Sequence, residues 1–280
     1  MAYEGYQRLR IAREGRLVTA TIDNPPINLI TLELYGELAR LAQELEADRE
    51  AQVFVLKSAN PDFFMAHFDV EAILSMPTDS PPERGAWDAN TWHVMCERFR
   101  TMDKVTIAQI EGRVGGGGAE ISASFDMRFG ALGRTIINQM EVPVGILPGG
   151  TGTQRLPRLL GRGRAMEVIL GGIDLDAETA ERWGWLNRAL PPSQVGPFVD
   201  ALARRIAGFP PQAVRLAKRA MLAAEPSPHE GLAEESFLFQ QLIRTDDGRR
   251  AMRRFLELGG QTREGELKVA ELSGAISGVG

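Results

Sequence analysis

Cysteine is almost absent: the 280 residues hold one, Cys96. A single thiol makes no internal disulfide, so the fold does not depend on an oxidising compartment. Long apolar runs are missing as well. No stretch approaches the 18 apolar residues that a membrane-crossing helix needs. Residues 1–10 are polar and lack the apolar segment of a secretory leader. Histidine is scarce, and His67, His93 and His229 lack the spacing of zinc ligands. There is no surplus of positive charge: 32 Lys and Arg stand against 37 Asp and Glu, for a net charge of −5 and a pI of about 5.4. Such a chain has no general field for gathering nucleic acid or anionic lipid. These absences point to a cytoplasmic, soluble protein with no metal, no nucleic-acid partner and no membrane partner.

What is present is the balance of an ordinary globular protein, 44% hydrophobic and 25% charged. The length suits one large core with an appended element, or two small domains. Alternating runs at 9–13 and 17–22, separated by Glu14-Gly15, predict a hairpin that ends at Asn24-Pro25-Pro26. Thr31 is a helix N-cap candidate, and Leu34, Leu38, Leu41, Ala42 and Leu45 follow at helical spacing up to Asp48. Residues 53–56 read as a strand, 57–69 as a loop and 70–76 as a helical patch. An exposed, flexible proline-rich loop is expected at 78–82, then a long helix from Glu83 to Met102 and a strand at 105–110. A glycine loop at 112–118 leads into a helix at 119–125, with strands at 127–131 and 135–137. Strand-strand-helix units in series predict a wound α/β core. After Gly152 the pattern is mostly helical, at 153–160, 164–170, 177–183, 195–207, 212–224, 231–243 and 246–258. The core passes to the helical region near residues 191–196, and the stretch 259–280 is expected to fray.

The strongest local feature is Gly112-Arg113-Val114-Gly115-Gly116-Gly117-Gly118-Ala119-Glu120, placed between a strand and a helix. Glycines let a ligand approach the backbone, and the first amides of a helix lack internal partners. Such a turn holds a phosphate or an oxygen that becomes negative during a reaction. A phosphate loop would end in Gly-Lys-Ser/Thr, and a dinucleotide fingerprint would not carry an acid inside the turn. An oxyanion site fits these residues better, and tight packing is the plain alternative. Glu120, expected on the first turn of the helix, reads either as a capping carboxylate or as a functional one. Glu141 precedes the apolar Val142-Pro143-Val144-Gly145, where a carboxylate is more often paired or functional than idle. Two acids beside one oxyanion site suit acid–base work. A serine nucleophile at Ser122 or Ser124 is disfavoured by their place in a buried helix.

Four stretches together resemble the enoyl-CoA hydratase/isomerase family, the crotonase superfamily, over residues 9–258. They are Asn24-Pro25-Pro26-Ile27-Asn28; Phe63-Phe64-Met65-Ala66-His67-Phe68-Asp69; the Gly112 to Glu120 run with Asp126; and Glu141 to Gly145 running into Leu147-Pro148-Gly149-Gly150-Thr151-Gly152-Thr153-Gln154-Arg155-Leu156. The resemblance implies an α/β fold, a crotonase-like spiral of strand-strand-helix repeats (1–192), with a helical C-terminal trimerisation region (193–280). It implies an acyl-CoA thioester substrate, no cofactor beyond the coenzyme A of the substrate, and a homotrimer or dimer of trimers. By position the oxyanion hole would be the amides of Phe68 and Gly117, and the catalytic pair Glu120 and Glu141. Ala66, His67, Asp69 and Gly116 would face the substrate. The implied reaction adds water across the 2,3 double bond. A double-bond isomerase using Glu141 alone is the nearest alternative, and a non-catalytic acyl-CoA-binding or scaffold protein the alternative of another class. Two departures stand out. His67 replaces the family's usual glycine and Phe68 its usual alanine, so the pair reshapes the acyl pocket or His67 titrates there, and histidine tolerates the left-handed conformation that the glycine would supply. The segment between Asp126 and Glu141 is about one residue longer than is usual in that family, an excess expected at 131–134.

Overall fold

A computed structural model describes residues 3–276. β1 (Leu9–Glu14) and β2 (Leu17–Ile22) form an antiparallel hairpin. Thr31 caps α1 (Leu32–Ala47) by accepting the Leu34 amide, and the apolar stripe from Leu34 to Leu45 is buried. A repeating unit follows: a strand in a large sheet, a corner, a short strand in a second sheet, then helix. Its first copy is β3 (Val53–Ser58), β4 (Phe63–Met65), α2 (Val70–Leu74) and α3 (Thr91–Thr101). The second is β5 (Val105–Ile110), β6 (Arg113–Gly115) and α4 (Gly116–Ala123). The third is β7 (Met127–Ala131), β8 (Ile136–Asn138), α5 (Gly152–Leu160) and α6 (Arg162–Gly171). β9 (Leu175–Asp176), α7 (Ala177–Trp183) and β10 (Arg188–Leu190) close the series.

The large sheet has six strands in the order β1-β2-β3-β5-β7-β10, parallel except for the hairpin. The small sheet has four, β4-β6-β8-β9, parallel except for β8 against β9. A parallel strand covered on both faces carries apolar residues at consecutive positions, and β3 does so. Phe54 and Leu56 join the core shared with α1 and α3, whereas Val53 and Val55 meet Val195, Val199 and Ala203 of α8 (Pro192–Ala207). α9 (Pro211–Leu222) brings Lys218, whose Nζ bonds Asp126 at 2.8 Å. α10 (His229–Leu242), α11 (Asp246–Glu257), α12 (Arg263–Glu266) and α13 (Val269–Ile276) complete the described chain.

Several expectations need correction. The helix expected from Glu83 begins at Thr91, because Asn90 turns its side chain onto the amides of Trp92 and His93 and starts a new helix there; a short 3-10 turn at Trp87–Ala89 precedes it. The stretches expected as plain loops at 57–69 and 112–118 contain β4 and β6, three residues each and too short to show an alternation. α4 starts at Gly116, so Glu120 lies on its second turn and does not cap it. The stretch 259–280 does not simply fray: α12 and α13 run to Ile276, while residues 277–280, like residues 1 and 2 of the polar N-terminus, lie outside the described residues. His67 is not in the left-handed region; the glycine that is, beside it, is Gly116 at φ +43°.

Asn28 pins the first corner. It is fully buried at φ +51°, a conformation asparagine tolerates better than most residues. Its Nδ2 donates toward Ser58 Oγ, Phe63 O and Phe64 O at 2.8–3.1 Å, and its Oδ1 accepts the Asn24 amide at 2.9 Å. It thereby ties the end of β3 to β4. Asn28→Gly retains the backbone freedom and loses these bonds, so it is expected to destabilise the fold by about 1–3 kcal/mol. Asn28→Ala adds backbone strain and is expected to cost more than the glycine variant. Urea unfolding of both variants checks the size and the order.

Candidate active site

Two corners of the spiral bring distant segments together. The Gly115 amide donates to Ala66 O at 2.9 Å, which lays the start of α4 beside the segment after β4. At Gly116 a Cβ would lie 2.7 Å from His67 Cβ and 3.0 Å from Glu141 Oε1, so only glycine fits. At the next residue, a Cβ on Gly117 would lie 3.5 Å from the Phe68 amide nitrogen and 3.0 Å from the Trp92 ring. Gly117 stands in the first turn of α4, where an amide has no intrahelical acceptor. The His67 carbonyl accepts the Ile30 amide at 2.9 Å and the Asp69 amide donates to the Ile30 carbonyl at 3.1 Å, but the Phe68 amide between them donates to nothing among the described residues.

Glu120 is held by the segment that opens α5. Its Oε1 accepts the amides of Gly150 and Gly152, both at 2.8 Å. The intervening amides face the other way. Those of Thr151 and Thr153 donate to Glu235 of α10, at 2.7 and 3.0 Å, and the Thr153 hydroxyl joins them. His93 Nε2 lies 3.1 Å from the same carboxylate and 2.9 Å from Gly149 O. Trp92 Nε1 donates to Gly150 O at 3.1 Å. Four consecutive amides are thus shared between two carboxylates, one on each side. Both oxygens of Glu141 accept from Gln139 Nε2, at 3.1 and 3.0 Å.

Phe68, Gly117, Glu120 and Glu141 all line one cavity of about 260 Å³, whose apolar walls include Tyr35, Trp92, Met140 and Phe239. Trp92 stacks on Tyr35 with ring centres 5.3 Å apart and meets Phe68 edge-on at 5.4 Å. Both carboxyls are buried. Burial pushes Glu120 well above the usual carboxylate range, the nearby Glu141 and Glu235 add to it, and the two glycine amides only partly offset them. Burial likewise raises Glu141 to about 7 against the pull of Gln139 and His67. The pair titrates together, so the first proton lost belongs to both.

His67 lines the cavity; Ala66, Asp69 and Gly116 do not. Ala66 contributes its carbonyl to Gly115, Asp69 caps α2 by accepting the Glu71 amide, and Gly116 gives room to His67 and Glu141. Ser122 and Ser124 donate back to carbonyls of their own helix, Gly118 O and Glu120 O, and have no nucleophile's base beside them. No group of three or more His, Cys, Asp or Glu among the described residues is arranged to hold a metal. Sequence reasoning missed Gln139, Glu235, Glu266 and the aromatic wall. Gln139 stood in the open two residues before Glu141; Glu235 and Glu266 lie in charged helical stretches that look like solvated faces until the fold buries them.

The enoyl-CoA hydratase/isomerase family model matches residues 12–264. The chain is 31% identical over 249 residues to the short-chain-enoyl-CoA hydratase of Clostridium acetobutylicum, covering 88% of this chain and 94% of that protein. It is 27% identical over 254 residues to the crotonyl-CoA hydratase of Syntrophomonas wolfei, covering 90% and 96%. Among solved structures, a chain from Streptomyces avermitilis provisionally named an enoyl-CoA hydratase superposes with a TM-score of 0.88 at 35% identity, over 98% of this chain and 99% of that one. The enoyl-CoA hydratase of Bacillus anthracis superposes with a TM-score of 0.71 at 27% identity, over 90% and 96%. With a spiral of this kind and a family match spanning most of its length, the chain belongs to the enoyl-CoA hydratase/isomerase family.

Proposed function

We propose that the protein hydrates the 2,3 double bond of an acyl-CoA thioester, with Glu120 and Glu141 as the catalytic acid–base pair and the amides of Phe68 and Gly117 as the oxyanion hole. One observation carries the reading: two carboxyls that burial raises above the usual carboxylate range open on the same cavity as two amides without acceptors. Hydration needs both halves. The water oxygen bonds to the β-carbon as the π bond breaks, and the α-carbon gains a proton. Charge passes through the enolate to the thioester oxygen, where two amides in a largely apolar cavity stabilise it strongly. One ionised carboxylate takes the proton that water gives up, and its protonated neighbour supplies the α-proton. The cavity has room for an acyl group and not for a whole coenzyme A, and its walls favour an apolar acyl chain. No cofactor is required. Exposed Met166 and Leu170, one turn apart on α6, support burial of that face in a homotrimer or a dimer of trimers. No helix among the described residues is long and apolar enough to cross a membrane.

Glu120→Gln and Glu141→Gln are each expected to slow hydration of a 2-enoyl-CoA by about 10²- to 10⁴-fold. Assaying a panel of acyl-CoA thioesters for hydration and for double-bond isomerisation checks this. Isomerisation alone, lost only in Glu141→Gln, would assign the isomerase reaction instead; near-normal turnover in both variants would remove the pair from catalysis.

The same carboxyls lower stability at high pH. Each holds its proton more tightly in the fold than in the unfolded chain, so the native state binds more protons. Stability is therefore greatest near and below the ordinary carboxylate value of 4.5 and declines as pH rises through about 7. Replacing either acid by the neutral amide removes this loss. Thermal melts at pH 8 are expected to show Glu141→Gln more stable than the parent by about 2 °C or more, with the difference vanishing below the ordinary carboxylate value of 4.5.

A further inference from the structure

His67 is buried, and both of its ring nitrogens face acceptors. Nδ1 lies 2.8 Å from the Phe68 carbonyl oxygen, and Nε2 lies 3.0 Å from Glu266 Oε1. A carbonyl oxygen only accepts. Glu266 also accepts the Gln261 amide at 2.8 Å on the same oxygen, and with His67 and Arg113 beside it is held below the usual carboxylate range, so it sits here as a carboxylate. A neutral imidazole has one N–H and would leave one of these contacts acceptor against acceptor; the imidazolium satisfies both. On its other side, His67 Cβ and Glu141 Oε1 flank the same space above Gly116. They are within about 6 Å of each other, so the imidazole borne on that Cβ is a close neighbour of Glu141, and its charge favours the ionised carboxylate.

We infer that His67 is a positioning residue for Glu141: a fixed imidazolium, clamped between the Glu266 carboxylate and the Phe68 carbonyl, whose charge favours ionised Glu141 and sets the pH range over which the two site carboxyls share one proton. The inference rests on the hydration reading for its role in turnover, but the charge itself is independent of substrate. The surrounding groups fit. Burial pulls the imidazole down, yet Glu266, the Phe68 carbonyl and Glu141 outweigh it and raise His67, while His67 and Arg113 of β6 hold Glu266 down against its burial. The Phe255 ring of α11 meets His67 edge-on at 5.6 Å and carries no charge. Glu141 is faced by Gln139 on its own segment, Glu120 on α4, Glu235 on α10 and His67. His67 is thus a positive charge set against three acids that otherwise disfavour each other's ionisation.

Removing the charge alone would strand Glu266 in the interior, so the test uses the neutral pair His67→Gln with Glu266→Gln, alongside Glu266→Gln by itself. In the parent, ¹⁵N NMR of histidine, assigned by the loss of one signal in the variant, is expected to show both His67 nitrogens protonated through pH 8. A His67 that is neutral at pH 7 overturns the inference. In the folded double variant the whole bell of kcat/KM against pH is expected to move up by about one unit or more, and the ¹³C titration of Glu141 with it. Glu266→Gln is expected to move both in the same direction. A lowered kcat with an unmoved bell and an unmoved Glu141 titration would make His67 structural only. Absence of hydration in the parent would sink the proposed reaction, and the Glu141 titration would still decide the role of His67.

Discussion

Two carboxyls buried in one cavity cannot both be charged without great cost. That constraint organises the rest of the structure around the site. It makes one proton available to the pair near neutral pH, which is the state a proton-transfer pair requires. It also demands that each acid be restrained, because a buried carboxyl left to itself would stay protonated and reorient. Glu120 is restrained by two amides, Glu141 by one glutamine, and the difference matters. Backbone amides at a helix start cannot relax away, whereas a side-chain amide can. Glu120 is therefore the more rigid member, and Glu141 the one most open to tuning by a nearby charge.

How much of this was legible in the sequence follows from the range of each interaction. Elements fixed by local pattern were readable. The stripe from Leu34 to Leu45 and the cap at Thr31 reproduce α1 closely, because helix periodicity and capping are carried by adjacent residues. The Gly115 to Gly118 run marked a close backbone approach, and the reason, contact with His67, Phe68 and Met65, lies some fifty residues away and appears only in the fold. β4, β6 and β9 are two or three residues each and are held by their neighbours in the sheet, so no periodicity announced them, whereas β8, equally short, was read one residue early. Asn90 broke a helix that the residues from Glu83 seemed to support, because a single side chain capping two amides outweighs weak helix propensity.

The site residues divide the same way. Phe68, Gly117, Glu120 and Glu141 came from motifs in which the chemistry and the turn are neighbours in sequence, and the fold brings all four to one cavity. Glu235 and Glu266 had no such signal. Each is an acid in a helix rich in charge, and what distinguishes it from a solvated one is a partner: for Glu235 the Thr151 and Thr153 amides, for Glu266 the imidazole of His67. Long-range ion pairs of this kind leave no local pattern.

The C-terminal helices therefore do more than cover the core. Phe239 walls the cavity, Glu235 grips the segment that grips Glu120, and Glu266 balances the charge beside Glu141. Covering and tuning are one act. Helices that exclude water from the cavity raise the carboxyls by desolvation, and the same exclusion strengthens every amide and charge that faces them. An acid brought in with the cover would push the site pair still higher. Glu235 does so, but its lone pairs are taken up by the amides opening α5, and the charge of Glu266 is met by His67 before it reaches Glu141. Each acid that the cover adds arrives with its own donors, and this is what allows a site with four buried carboxyl groups to stay folded.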